Sequence, residues 1–201
     1  MQDSDNNLAS NVNNNAETSG AANADYARYE ELFHKQLHKY LVDIGMADAH
    51  FPDADDLERL WPVIGESYMP DAIREFADYP TVSLGWIMYV GMAVAKYWDE
   101  DWELYSKVPD LYKYLRDRID FDHLDDYVAE KVLLLDNEGV DKTRKVIGEC
   151  ASRANNMLMH LGVEPGSEDA FRAFIAALHE MYRMGIAMEL KGLGYHMVQV
   201  Q

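Results

Sequence analysis

The sequence predicts an all-α fold, a single-domain helical bundle of about seven helices packed around one central apolar helix. Three observations carry that expectation. Residues Tyr79 to Ala95 form seventeen consecutive positions without a formal charge, and a helix that is apolar all round has to be wrapped by other helices. The segments on either side repeat large apolar residues at three- and four-residue intervals, the period of an α-helix. Proline, glycine and short polar capping residues then divide those segments into helix-length pieces.

The elements follow in chain order. Residues 1–24 are dominated by Asn, Ala, Ser and Gly and hold too little apolar surface to offset their ordering entropy, so they read as a disordered leader. A first helix fits Asp25 to Met46, with Tyr29, Phe33, Leu37, Leu41 and Ile44 as its stripe. After the connector His50-Phe51-Pro52-Asp53, a second helix should start near Asp53 or Asp55 and stop or kink at Pro62. Pro70 suits the first turn of a short helix ending near Tyr79. The central helix runs from Thr81 to about Trp98, with a continuation towards Tyr105. Helices from Pro109 to Arg118 and from Asp122 to Leu135 come next, and Asn137-Glu138-Gly139 reads as a turn. Asp141 should cap a long helix closed by Gly162, and Ser167 should cap the last one, which reaches about Lys191.

Small residues point to the centre of the packing. In the last helix Phe171, Phe174, Leu178, Met181, Gly185 and Met188 alternate three- and four-residue spacings, which makes a pairing seam. Gly185 on that seam and Gly91 in the central helix would each let another backbone approach closely, so these two helices are expected to be neighbours.

Composition bounds the chemistry. The formal charge is −18, and −15 once the leader's Asp3, Asp5 and Glu17 are set aside. That balance argues against direct nucleic-acid binding, which relies on Lys and Arg displacing counterions. The uncharged run contains Pro80, Thr81 and Ser83, has no second like it, and is shorter than the roughly 20 residues a membrane span needs, so no membrane role is expected. The leader resembles neither a signal peptide nor a transit sequence, which makes the cytoplasm the expected compartment. Cys150 stands alone, sits among apolar residues, and reads as an inert buried thiol.

Two candidate sites emerge. Glu30, His34 and His38 follow one another at four-residue steps, and Glu31 to His34 has the Glu-x-x-His spacing of di-iron bundles. The partial counterpart is Asp120-Phe-Asp-His123, so Glu31, His34, His38 and His123 form the metal candidate, with a divalent ion as its cofactor. His179-Glu180-Met181-Tyr182-Arg183 begins like a zincin helix but has Arg183 where the second His belongs, and the motif fails. His160 and His179 read as separate polar positions. The second candidate is the acidic-aromatic run. On a continuing helix Trp98, Trp102 and Tyr105 would share a face edged by Asp99, Asp101 and Glu103, suited to a sugar or a basic peptide. No phosphate loop, dinucleotide fingerprint or nucleophile elbow is present.

The expected function is a non-catalytic protein-binding or regulatory module whose acidic face meets a basic protein partner, alone or as a homo-oligomer. The alternatives are a metal-dependent helical-bundle enzyme built on the first-helix His and Glu residues, and an acidic nucleic-acid mimic.

Overall fold

The computed structural model describes residues 25–196, so the expected leader lies outside the described residues, as do 197–201. Among the described residues every regular element is helical. α1 occupies residues 25–43. Tyr29, Phe33, Leu37 and Leu41 are at most 2% exposed. Ile44, expected in the same stripe, is exposed, because the helix stops before it and Gly45 turns the chain at a positive φ of 73°.

The next stretch is divided differently from expectation. α2 is one turn, Asp55–Glu58, and α3 runs unbroken over Trp61–Phe76. Pro62 occupies the first turn of α3, where an amide proton would have no intrahelical partner, so it opens this helix and ends none. Pro70 lies inside α3. It is exposed, and on that side solvent can replace the amide donor that proline lacks.

α4 spans Pro80–Tyr105 and is the hub. From Ser83 to Ala95 every residue except Trp86 is buried. Three neighbours approach α4 through a small residue. A Cβ placed on Gly91 would lie 2.1 Å from the Tyr182 carbonyl oxygen, and one on Gly185 would lie 2.1 Å from that of Met88. The central and last helices therefore cross backbone against backbone, as the small-residue pattern anticipates. At Gly85 a Cβ would come within 3.2 Å of Ile147, which is where the helix that carries Ile147 seats. α3 is tied on by two buried hydrogen bonds: Tyr68 Oη donates to the Ser83 carbonyl at 2.6 Å, and Ser83 Oγ donates to the Ala72 carbonyl at 2.9 Å.

α5 covers Leu111–Arg116, with Asp110 as its cap accepting from the Lys113 amide, so Pro109 precedes the cap. Where a single helix from Asp122 is expected, the chain forms a 3-10 turn (Phe121–His123), α6 (Leu124–Tyr127) and a π-turn (Val128–Val132). The wider π-turn keeps Val128, Ala129 and Val132 buried together. α7 spans Asn137–His160, capped by Asp136, whose carboxylate accepts from the Gly139 amide at 2.8 Å. The expected turn at 137–139 is thus the first turn of α7, because Asp136 supplies the acceptor that free amides need. α8 covers Glu168–Gly192, capped by Ser167 as expected. Along its seam Phe174, Leu178, Met181, Gly185 and Met188 are buried, whereas Phe171 is 46% exposed. No helix among the described residues is long and apolar enough to cross a membrane.

Two glycine substitutions should therefore have opposite signs. Gly91→Ala forces a methyl group into a backbone carbonyl and should cost about 3 kcal/mol or more in urea unfolding, at or beyond the upper end of core overpacking. Gly148→Ala, in α7 with nothing within 4 Å of the added carbon, should stabilise by about 1 kcal/mol through helix propensity. Equal effects at both positions would deny the close α4–α8 crossing.

Candidate functional site

The four-residue rhythm of α1 sets Glu30, His34 and His38 on one face, and α8 brings His179, Glu180 and Arg183 against that face. Glu180 is fully buried. Its two oxygens are both engaged: His34 Nδ1–H donates to Oε2 at 2.9 Å and Arg183 Nη1 donates to Oε1 at 2.6 Å. Arg183 also donates from Nε to Glu58 at 3.1 Å and lies over the Phe51 ring at 4.7 Å. Next to it, His179 Nδ1–H donates to Glu30 Oε1 at 2.5 Å. Trp61 stacks on the His179 ring, 4.7 Å between centroids and 14° from parallel. One ligand atom each from Glu30, His179 and Glu180 lie within 4.8 Å of one another.

Burial and hydrogen bonding compete at Glu30. Desolvation alone would raise its carboxyl, but the hydrogen bond and charge of His179, with a further bond from Tyr26, outweigh it and hold the group below its ordinary value. At His38 desolvation wins and lowers the imidazole, although Nε2–H donates to the Asp48 carbonyl at 2.8 Å.

Of the four metal candidates from the sequence, the structure brings together His34 and His38, whose ring centroids lie 5.3 Å apart, but not Glu31 or His123. Glu31 is exposed, one residue and about 100° round α1 from Glu30. His34 enters the buried cluster, His38 stays beside it on Asp48 and Phe51, and His123 lies in the 3-10 turn, lining a separate polar hollow with Arg74, Glu75 and Arg116. His160 is exposed and bonded to its own helix at Asn156, away from His179. The residues that complete the cluster, His179, Glu180 and Arg183, belong to the segment that fails as a zincin helix. A signal was nevertheless present: Glu180 has Ala176 and Ala177 one turn before it and Met184 one turn after, a carboxylate embedded in an apolar face.

The acidic-aromatic run does not present one platform. α4 breaks at Asp101, whose backbone is extended and whose carboxylate caps the Leu104 amide at 3.0 Å. Trp98 consequently packs edge-on against Tyr195, while Tyr105 stacks on Tyr97 at 4.3 Å. Asp99 accepts from Tyr195 Oη at 2.8 Å, Glu103 is exposed, and Trp102 is partly buried against the core. Trp98 and Tyr195 do wall a hollow of about 320 Å³ together with Asp53, Asp55, Asp56 and Leu57.

On another face α3 and α8 leave a long apolar depression. Two adjoining hollows of about 460 and 490 Å³ share Ile73. Trp61, Met69 and Ile175 line the first, and Phe76, Phe171 and Phe174 line the second. Trp61 is common to the first hollow and the buried cluster, with its indole against His179. The chain matches no family model, and it matches neither a curated protein nor a solved structure.

Glu189 offers a pH test of this interior. Burial, reinforced by Asp99 and opposed by Lys96, pushes its carboxyl up to about 7. The folded state thus disfavours the ionised form, so stability falls as pH rises from the ordinary carboxylate value near 4.5 through about 7. Glu189→Gln should raise the unfolding free energy by about 1–3 kcal/mol at pH 8 and leave it unchanged at pH 4. Denaturant titrations of both proteins at the two pH values would read this, and a gain independent of pH would contradict it.

Proposed function

We propose that this chain is a non-catalytic protein-binding module whose α3–α8 depression receives an amphipathic helix with apolar anchors and basic flanks. The observation that carries this reading is the exposure of large apolar side chains along one channel: Ile73 is 53% exposed and Phe171 46%, beside Met69, Phe76 and Ile175. Single exposed apolar residues are ordinary, but a contiguous apolar strip is a recognition feature. A cleft between two helices suits the apolar face of a third, which places its anchors at i, i+3, i+4 and i+7. Charge selects the flanks. The chain carries −18, and Glu66, on the wall of the first hollow, forms no ion pair among the described residues. A basic helix is steered towards such a surface, and an acidic one is repelled.

The catalytic alternative has less behind it. Both Glu180 oxygens and the paired oxygen of Glu30 are already held by His34, Arg183 and His179. The Cys150 thiol is pushed up to about 12 by burial, far from a thiolate nucleophile.

Selection from a displayed library of helix-forming peptides tests the proposal. Enriched sequences should carry apolar residues at helical spacing flanked by Lys or Arg, and Ile73→Asp should weaken their binding at least tenfold while leaving the far-UV melting curve unchanged. Raising the salt concentration should also weaken them. The reading fails if no sequence family is enriched, if Ile73→Asp has no effect on binding, or if light scattering reveals a dimer that Ile73→Asp dissolves, since a second copy would then fill the depression.

A further inference from the structure

We infer that the hollow walled by Trp98 and Tyr195 and edged by Asp53 and Asp55 binds an alkylated ammonium group, the chemistry shared by small quaternary amines and methylated lysine side chains. The hollow shares no lining residue with the α3–α8 depression. Its volume is about 320 Å³, at the small end of ligand pockets.

The aromatic walls are held in place. Trp98 is partly buried against the core, and Tyr195 meets it with ring centroids 5.5 Å apart and planes inclined at 64°. The two rings therefore make a corner and not a closed stack. Tyr195 is brought there by the reversal that ends α8. Gly194 takes a positive φ of 91°, and the Tyr195 amide donates to the Leu190 carbonyl at 2.9 Å, a helix terminus to which glycine is suited. At the far end of the ring, Tyr195 Oη donates to Asp99 at 2.8 Å. The side chain is thus tied at both ends. Leu57 and Leu190, both buried, complete the apolar part of the lining.

The charge at this corner has one sign. Asp53, Asp55 and Asp56 line the hollow, and no cation does. Arg59 engages Asp56. Asp53 and Asp55 are exposed and form no ion pair or side-chain hydrogen bond among the described residues. Neither caps α2, whose cap position is Ala54 and receives no side-chain bond. Acidic side chains in open solvent need no ligand; the pointer here is an aromatic corner that two of them face with their charge unused.

The mixture selects the ligand. Ring faces attract a cation, and the contact is strongest where water is excluded. A primary ammonium is compact and strongly hydrated, so it gives up water reluctantly. A divalent metal ion of the calcium class needs six or more oxygen donors and gains nothing from two rings and two leucines. Methyl groups on nitrogen spread the charge and offer apolar surface to the rings, while Asp53 and Asp55 supply the countercharge at the opening.

Titration of the full chain with choline and with the methylamide of N-acetyl-trimethyllysine tests the site. The readout is the Trp98 indole N–H resonance, identified by its loss in Trp98→Phe. Saturable binding of one ligand per chain is expected. The unmethylated lysine amide should bind at least tenfold more weakly, and 3,3-dimethyl-1-butanol, the neutral isostere of choline, should not saturate. Tyr195→Leu should weaken binding at least tenfold, and the double variant Asp53→Asn, Asp55→Asn at least fivefold. These three positions are exposed, so the variants should fold. His123→Gln, on the separate polar hollow, should change nothing. Comparable affinity for choline and the lysine derivative assigns a free amine, and binding of the lysine derivative alone assigns a modified protein partner. The inference is overturned if neither ammonium shifts the resonance, if the neutral isostere or the unmethylated amide binds as well, if Tyr195→Leu has no effect, or if calcium chloride alone saturates the site at lower concentration than either ammonium. None of these results bears on the α3–α8 depression, which the peptide selection tests separately.

Discussion

The crossing of α4 and α8 at Gly91 and Gly185 is the constraint on which the other features depend. Each glycine stands where a β-carbon would overlap a carbonyl oxygen of the opposite helix. Two helices that meet backbone to backbone lose the usual cushion of side chains, so their separation and rotation are closely determined. Once α8 is held in that way, its remaining faces have defined destinations. One flank meets α1 and carries His179, Glu180 and Arg183 to Glu30 and His34. The N-terminal end lies beside α3 and leaves Phe171 in the open channel.

A carboxylate buried as completely as Glu180 is unusual in a protein with twice as many acidic as basic side chains, 36 against 18. Its environment explains how it is tolerated. Arg183 lies one turn further along the same helix and His34 approaches from α1, so both carboxylate oxygens have donors. Removing Arg183 would take away the one permanent cation paired with this buried carboxylate, which costs more than the pair contributes when intact. A network of this type ties α1 to α8 with a defined register, which apolar contact alone does not provide.

The break in α4 at Asp101 has a comparable reach. By capping Leu104, the Asp101 carboxylate starts a short new helical segment and turns Tyr105 towards Tyr97 and Tyr114, while Trp98 remains on the side of Tyr195. The aromatic residues that would have made a surface platform on a straight helix serve two separate contacts.

The sequence by itself determined the all-α class, the central apolar helix, the stripe of α1 and the meeting of Gly91 with Gly185, because helical period and small-residue spacing act over one or two turns and are written directly in the chain. It also placed Glu30, His34 and His38 on one face, for the same reason. Only the tertiary structure decided which of those side chains matter. Glu30 and Glu31 are neighbours in sequence, but one enters the interior and the other faces solvent, according to the rotation at which α1 docks. Pro70 inside α3, the Asp136 cap and the Asp101 break likewise follow from competition between local signals that each permit more than one outcome. Residues 34 and 180 are 146 positions apart, and no local rule relates them; their contact arises because α1 and α8 pack side by side in the folded chain, with the rotation of α8 already set by its crossing with α4.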